Sequence, residues 1–337
     1  MGLFKKEKKW GNFSGNINVY SDLKESDIEK LIKEPNIHSL QFYGFKNPST
    51  KTWNVLEKFF YKYPQIRLHI FWYDEVDFKF LEYLPSVKRF AVSSFLTKDF
   101  SPISKYLELE DLSLGETKSI SVNVDFIASF KNLKRFYNDG MKKGLEVLSG
   151  LSQLEVLTLR GVKKTDLKFV ENLQNLKELN LLFGSYKDLS SISKLKQLEE
   201  LEISRTRQIP DYNFLSGLIN LKTLCFEGMS KMEVLPDLSS LKNLTKIQID
   251  NNSRLVDIRS IEKLESLKIF LLFFPENFKA AWRKELMIQA TDILKTSETI
   301  KSTNLWRLMN ETNRTILKQK DIEFWGYNPE VEKIFNK

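Results

Sequence analysis

A phrase of apolar residues recurs nine times between residues 77 and 272 and constrains this chain more than any other feature. In its clearest copy the phrase reads Leu167, Val170, Leu173, Leu176, Leu179 and Leu181. Apolar residues stand three apart four times running, and one more follows two positions on. The copies begin at Phe78, Phe100, Val124, Leu145, Leu167, Leu189, Tyr212, Leu235 and Ile258, spaced 21 to 24 residues apart. Self-similarity at a period of 20 to 29 residues specifies a solenoid, in which one supersecondary unit per repeat buries its apolar face only against its neighbours.

The end of each phrase, as in Leu154-Glu-Val-Leu157-Thr-Leu159, alternates apolar and polar residues and predicts a short strand with one buried face. The spacing of three in the earlier part suits a 3₁₀ turn or brief helix packed over the other side of the core. The residue before each phrase is Asp or Asn in seven of nine copies: Asp77, Asp99, Asn123, Asp166, Asp188, Asp211 and Asp257, with Gly144 and Val234 as the exceptions. Such side chains accept hydrogen bonds from the unpaired N–H groups that open a helical turn. This column is therefore expected to cap turns and not to hold a metal or act as catalytic carboxylates.

Two looser copies precede the nine. Asp27, Ile28, Leu31, Ile37, Leu40 and Phe42 fit the phrase, with Glu34 in an apolar slot and a capping-box spacing at Ser26 and Glu29. Trp53, Leu56, Phe59, Phe60 and Tyr63 predict an amphipathic helix leading to a strand at 68–70. About eleven strands result.

On these repeats the chain resembles leucine-rich repeat proteins over roughly residues 27–274, within the 22-residue subclass of phosphatase-regulatory and internalin-type proteins. The resemblance implies an α/β solenoid, curved, with parallel strands on the concave face and short helical or 3₁₀ turns on the convex face. One column departs from the family. The ladder asparagine position reads Phe95, Thr117, Met141, Val162, Gly184, Thr206, Met229, Asn252 and Pro275, so irregular turns are expected. Three segments follow: an N-terminal cap over 1–36, the solenoid over 37–274 and a helical C-terminal cap over 275–337. In the last, Trp282, Leu286, Ala290, Ile293 and Leu294 share a helix face, Trp306, Met309 and Ile316 suggest a second helix, and Phe324-Trp325-Gly326-Tyr327 suggests an aromatic anchor. The run Ile269–Phe274 would leave Leu271 and Phe273 facing the groove unless the C-terminal segment folds back over them.

Strand alternation writes out the residues on the concave face. Its first half carries Arg67, Arg89, Arg135 and Arg160 with Tyr43, His69, Phe71, Asp111 and Tyr137. Its second carries Glu178, Asn180, Glu200, Glu202, Glu227 and Asp250. Arg and Tyr are enriched among interface hot spots, and opposite-sign patches orient a partner. The expected function is a non-catalytic scaffold, regulatory, inhibitory or immunity-type, that binds a protein or peptide on this face, with the partner's acidic part towards the first half. A net charge of +8 raises the alternative of an anionic surface, nucleic acid or membrane, although the excess is scattered among 44 acidic residues.

Catalytic and cofactor signatures are missing from the sequence. His38 and His69 are the only histidines, no cluster has metal-ligand spacing, and neither GxGxxG nor GxxxxGK[ST] occurs. No cofactor and no metal are expected. The single cysteine, Cys225, excludes an internal disulfide framework. Together with the lack of a signal peptide or an 18-residue apolar run, it points to the cytoplasm, and a monomer is expected.

Overall fold

The structure is a computed structural model and describes residues 8–119, 121–277 and 279–325. The chain divides into two compact units, residues 1–163 and 164–337.

The first unit opens with a hairpin of β1 (Trp10–Phe13) and β2 (Asn16–Val19). Ser14 and Gly15 join them with φ of 52° and 89°, both left-handed, as a type I′ turn requires. Strand β2 then pairs in parallel with β3 (Ser39–Tyr43). From there β4 (Arg67–Trp72), β5 (Arg89–Ser94), β6 (Asp111–Leu114), β7 (Arg135–Asp139) and β8 (Val156–Arg160) add in chain order, all parallel. The short helix α1 (Glu25–Leu31) precedes β3. Its cap lies two residues before the expected Ser26, because the Asp27 carboxylate accepts from the Lys24 N–H at 2.9 Å and from Lys9 Nζ at 2.6 Å. Helix α2 (Thr50–Lys62) follows the predicted stripe and buries Trp53, Leu56, Phe59 and Phe60. The four-residue α3 (Ile103–Tyr106) is the brief-helix form of the turn expected in each repeat.

The second unit continues the pattern with β9 (Glu178–Leu182), β10 (Glu200–Ser204), β11 (Thr223–Glu227), β12 (Lys246–Asp250) and β13 (Ile269–Phe273), again parallel and in chain order. Between residues 37 and 274 the strand count is eleven, β3 to β13. Every apolar residue of the clearest copy, from Leu167 to Leu181, is fully buried. Each such leucine contributes roughly 1.5–3 kcal/mol by leaving water.

The capping column does what its chemistry predicts. All seven Asp and Asn side chains accept from the backbone N–H two residues on, at 2.7 to 3.2 Å, at the start of a 3₁₀ turn or, for Asp99, just before α3. In the copy where Val234 replaces the acid, no 3₁₀ turn forms, and Asp237 caps the Ser239 N–H instead.

The expected irregularity is found after β4, β5 and β6, where the residue following the strand is not left-handed, but the later coils share one turn. The residue after each strand from β7 to β12 is left-handed: Gly140, Gly161, Phe183, Arg205, Gly228 and Asn251, with φ between 48° and 81°. That conformation turns the N–H towards the next coil. The Phe183, Arg205, Gly228 and Asn251 amides donate to Ser204, Glu227, Asp250 and Phe273 carbonyls at 2.7 to 3.0 Å. A main-chain ladder thus substitutes for the missing asparagines. Asn252 adds the side-chain version once, accepting from Met229 N–H at 2.6 Å and donating to Phe226 C=O at 3.0 Å. Thr206 does half as much, donating to Leu181 C=O at 2.9 Å.

After β13 the C-terminal segment folds back. Helix α4 (Ala280–Thr296) buries Leu286, Ala290, Ile293 and Leu294, and its Gln289 amide bonds Ile258 N–H and Val256 C=O. Strands β14 (Ser302–Thr303) and β15 (Glu323–Phe324) extend the sheet beyond β13. Asn304 clamps both backbone polar groups of Leu272 at 2.9 and 3.0 Å. Leu271 is thereby fully buried, and the Trp325 ring lies 6.5 Å from Phe273. The expected second helix is two pieces, a 3₁₀ turn at Leu305–Leu308 and α5 (Glu311–Gln319). Asn310 restarts the helix by accepting from Asn313 N–H. Tyr327 of the expected aromatic anchor lies outside the described residues.

Candidate interaction faces of the two units

In each unit, alternate strand residues point away from the core and line up in rows. In the first, Gln41, His69, Ala91, Ser113, Tyr137 and Thr158 stand in register. In the second, Asn180, Glu202, Cys225, Gln248 and Leu271 do so. These are the rows expected from the sequence, and the faces they form are open to solvent except at their most buried members.

On the first unit's face the charges are largely internal. Arg67 Nη2 reaches across β5 to the buried Asp111 carboxylate at 2.7 Å. Arg160 Nη1 donates to both oxygens of Asp139, at 3.0 and 2.8 Å, and the Tyr137 hydroxyl donates to the same carboxylate at 3.4 Å. Burial raises the Asp139 carboxyl above the ordinary range against the pull of Arg160. Burial first, then the Asp139 charge, pushes Tyr137 up to about 12. Of the four arginines expected to await an acidic partner, Arg67 and Arg160 are therefore engaged by Asp111 and Asp139. Arg89 is half-buried, with no ion pair among the described residues.

The aromatic residues of this face are the accessible ones. Tyr43 is 55% exposed and Phe71 42%, with ring centres 5.1 Å apart. His69 packs edge-on to Phe71 at 5.9 Å. Burial, and then the neighbouring Arg67 charge, hold His69 down to about 4, so it is neutral at pH 7.

The second unit's face is acidic. Glu202 is held above the ordinary carboxylate range by burial, then by repulsion from Glu227 and Glu178. Asp250 is raised by burial and by Glu227. Asn180 donates to Glu178 at 2.8 Å, while Glu200 is exposed. Glu227 accepts from Ser204 Oγ at 2.8 Å and Arg205 Nε at 3.3 Å. Cys225 lies among these carboxylates. Burial, then Glu202, Glu227 and Asp250, push its thiol up to about 12, so it is not a thiolate nucleophile at neutral pH.

Sequence reasoning omitted Phe183 and Arg205, which flank this face. Phe183 is 44% exposed, and the Arg205 guanidinium sits 5.4 Å over its ring. Both occupy the left-handed slot that glycine or asparagine fills in neighbouring coils. That slot could have been located from the strand phase alone. Among the described residues no group of three or more His, Cys, Asp or Glu side chains could hold a metal ion. No helix among them is long and apolar enough to cross a membrane.

No protein-family model matches the chain, and no curated protein matches it. Solved structures do. An internalin (inlF) from Listeria monocytogenes str. 4b F2365 aligns with a TM-score of 0.52 and 14% identity, over 91% of this chain and 89% of that one. An internalin C2 (inlC2) from the same organism gives a TM-score of 0.43 and 22% identity, over 58% of this chain and 84% of that one. Parallel strands in chain order, one per 21- to 24-residue repeat and alternating with 3₁₀ turns, together with the likeness to the first internalin, give this chain the leucine-rich repeat fold.

Proposed function

We propose that the protein is a non-catalytic binder of another protein, gripped through the open strand faces. The observation that carries this reading is the cluster of acidic side chains on the second unit's open face. Four carboxylates, Glu178, Glu202, Glu227 and Asp250, stand on one face, where Arg205 pairs with Glu227, and Glu202 and Asp250 are held above the ordinary range first by burial and then by Glu227. A lysine- or arginine-bearing segment of a partner would relieve that repulsion. Complementary charge of this kind chiefly orients a partner and speeds its arrival. On the first unit, Tyr43 and Phe71 supply exposed aromatic surface of the kind enriched in hot spots, and Arg89 adds a cation beside them for an acidic stretch.

A protein partner accounts for these faces better than nucleic acid or an anionic membrane does. The lysines at 9, 46, 58, 88, 134, 222, 242, 263 and 320 each pair with a carboxylate, so that part of the positive charge is neutralised within the chain. We place the protein in a reducing compartment because its one cysteine is half-buried and unbonded. Quantitative capture from the native host tests the reading. Glu202→Lys with Asp250→Lys, and separately Arg89→Glu with Arg135→Glu, are each expected to reduce recovery of the same partner. Equal recovery by wild type and both variants would remove the proposal.

A further inference from the structure

Within the second unit, the loops after β10 and β11 part to leave a cavity of about 350 Å³. Its origin is visible in the chain. Six residues lie between Arg205 and Tyr212, between Gly228 and Leu235 and between Asn251 and Ile258, against five between Gly161 and Leu167 and between Phe183 and Leu189. The loops after β10, β11 and β12 thus carry one extra residue each, and in the first of them Gln208 adopts a left-handed φ of 66°. Met229 and Met232 are buried against the cavity, and Ile209 and the Tyr212 ring complete an apolar wall. Arg207 and Lys231 stand at its edge, both exposed. Among the described residues neither has an ion pair, and the Tyr212 hydroxyl has no hydrogen bond. Arg205, next to the lining in sequence, is paired with Glu227, and Glu233 with Arg254.

Methionines adapt to flat or irregular apolar bodies. Volumes from about 300 Å³ upward hold small organic ligands, with a few polar groups fixing their orientation. We propose that this cavity binds a small organic anion, its apolar body against Met229, Met232 and Ile209 and its acidic head at Arg207, Lys231 and the Tyr212 hydroxyl. The site is independent of the open strand faces.

The probe is 8-anilinonaphthalene-1-sulfonate, an aromatic anion, titrated into the full chain by fluorescence and by calorimetry. One saturable site is expected. Arg207→Gln with Lys231→Gln changes only exposed side chains and should weaken binding by about tenfold or more, the loss of one charge-assisted contact. Ile209→Trp, which fills the cavity and leaves both cations, should abolish it. Circular dichroism and melting temperature check that each variant is folded. No saturable binding to the wild type, or wild-type affinity in the Arg207/Lys231 variant, would overturn the proposal.

Discussion

Asn252 offers the sharpest test of how the coils are held together. Its side chain is almost fully buried and satisfies two main-chain groups of the preceding coil, the Met229 N–H at 2.6 Å and the Phe226 C=O at 3.0 Å. Alanine would strand both. An unmade buried hydrogen bond costs about 1–3 kcal/mol, so Asn252→Ala should destabilise by roughly 2–5 kcal/mol. Threonine, which at 206 donates to a neighbouring coil's carbonyl without accepting from an amide, should cost about half of that. Asn243 gives the control. It makes one exposed bond to Ile219 C=O at 2.8 Å, which water can replace, so its loss should cost under about 1 kcal/mol. Urea unfolding followed by far-UV circular dichroism ranks the three variants. If Asn252→Ala cost no more than Asn243→Ala, the side-chain clamp would be irrelevant and the reasoning wrong.

Four further outcomes follow from the same geometry. Arg67→Met leaves the Asp111 carboxylate buried and unpaired and should lower stability by about 2 kcal/mol or more, while Arg67→Met with Asp111→Leu should recover most of it in thermal melts. Because Glu202 has a raised folded pKa, its charge opposes folding near neutrality. The wild type should gain from this residue as pH falls through the raised value towards the ordinary 4.5, and Glu202→Gln should be more stable at pH 7 and lack that gain. His69 works in the other direction. Its folded value near 4 lies below the ordinary 6.5, so its contribution is complete above 6.5 and lost as pH falls to about 4, and its NMR ring signals should not titrate between pH 8 and 5.5. Phe183→Gly relieves a left-handed backbone worth about 1–2 kcal/mol and gives back roughly 0.5–1 kcal/mol in unfolded-state entropy, so calorimetry should find it neutral or slightly stabilised.

The fold was legible because its signal is repeated. A single phrase such as Leu145 to Leu159 would be an ambiguous short helix or strand, but nine in phase fix both the strand rows and the capping column. The slot of Phe183 and Arg205 follows from the strand phase, but its left-handed conformation was not legible, since neither residue type announces one. Nor was Asn304, which clamps Leu272 from outside the repeat's phase. On the candidate faces, residue types and rows could be read from alternation, but their pairings could not. Arg67 finds Asp111 two strands away, and which acid an arginine chooses depends on burial that spacing does not encode. The polarised face foreseen from the sequence is thus mostly self-neutralised in the first unit, while the carboxylates of the second remain in mutual repulsion.

The central claim is that the open strand rows, and not the 3₁₀ turns behind them, meet the partner. A photo-activated crosslinking residue placed at Glu200 on the open face, or at Lys194 in an exposed turn, measures this directly in the native host. The account predicts one discrete crosslinked partner from position 200 and none from position 194. The same partner from position 194 alone, or none from either while the protein still co-purifies with it, would contradict it.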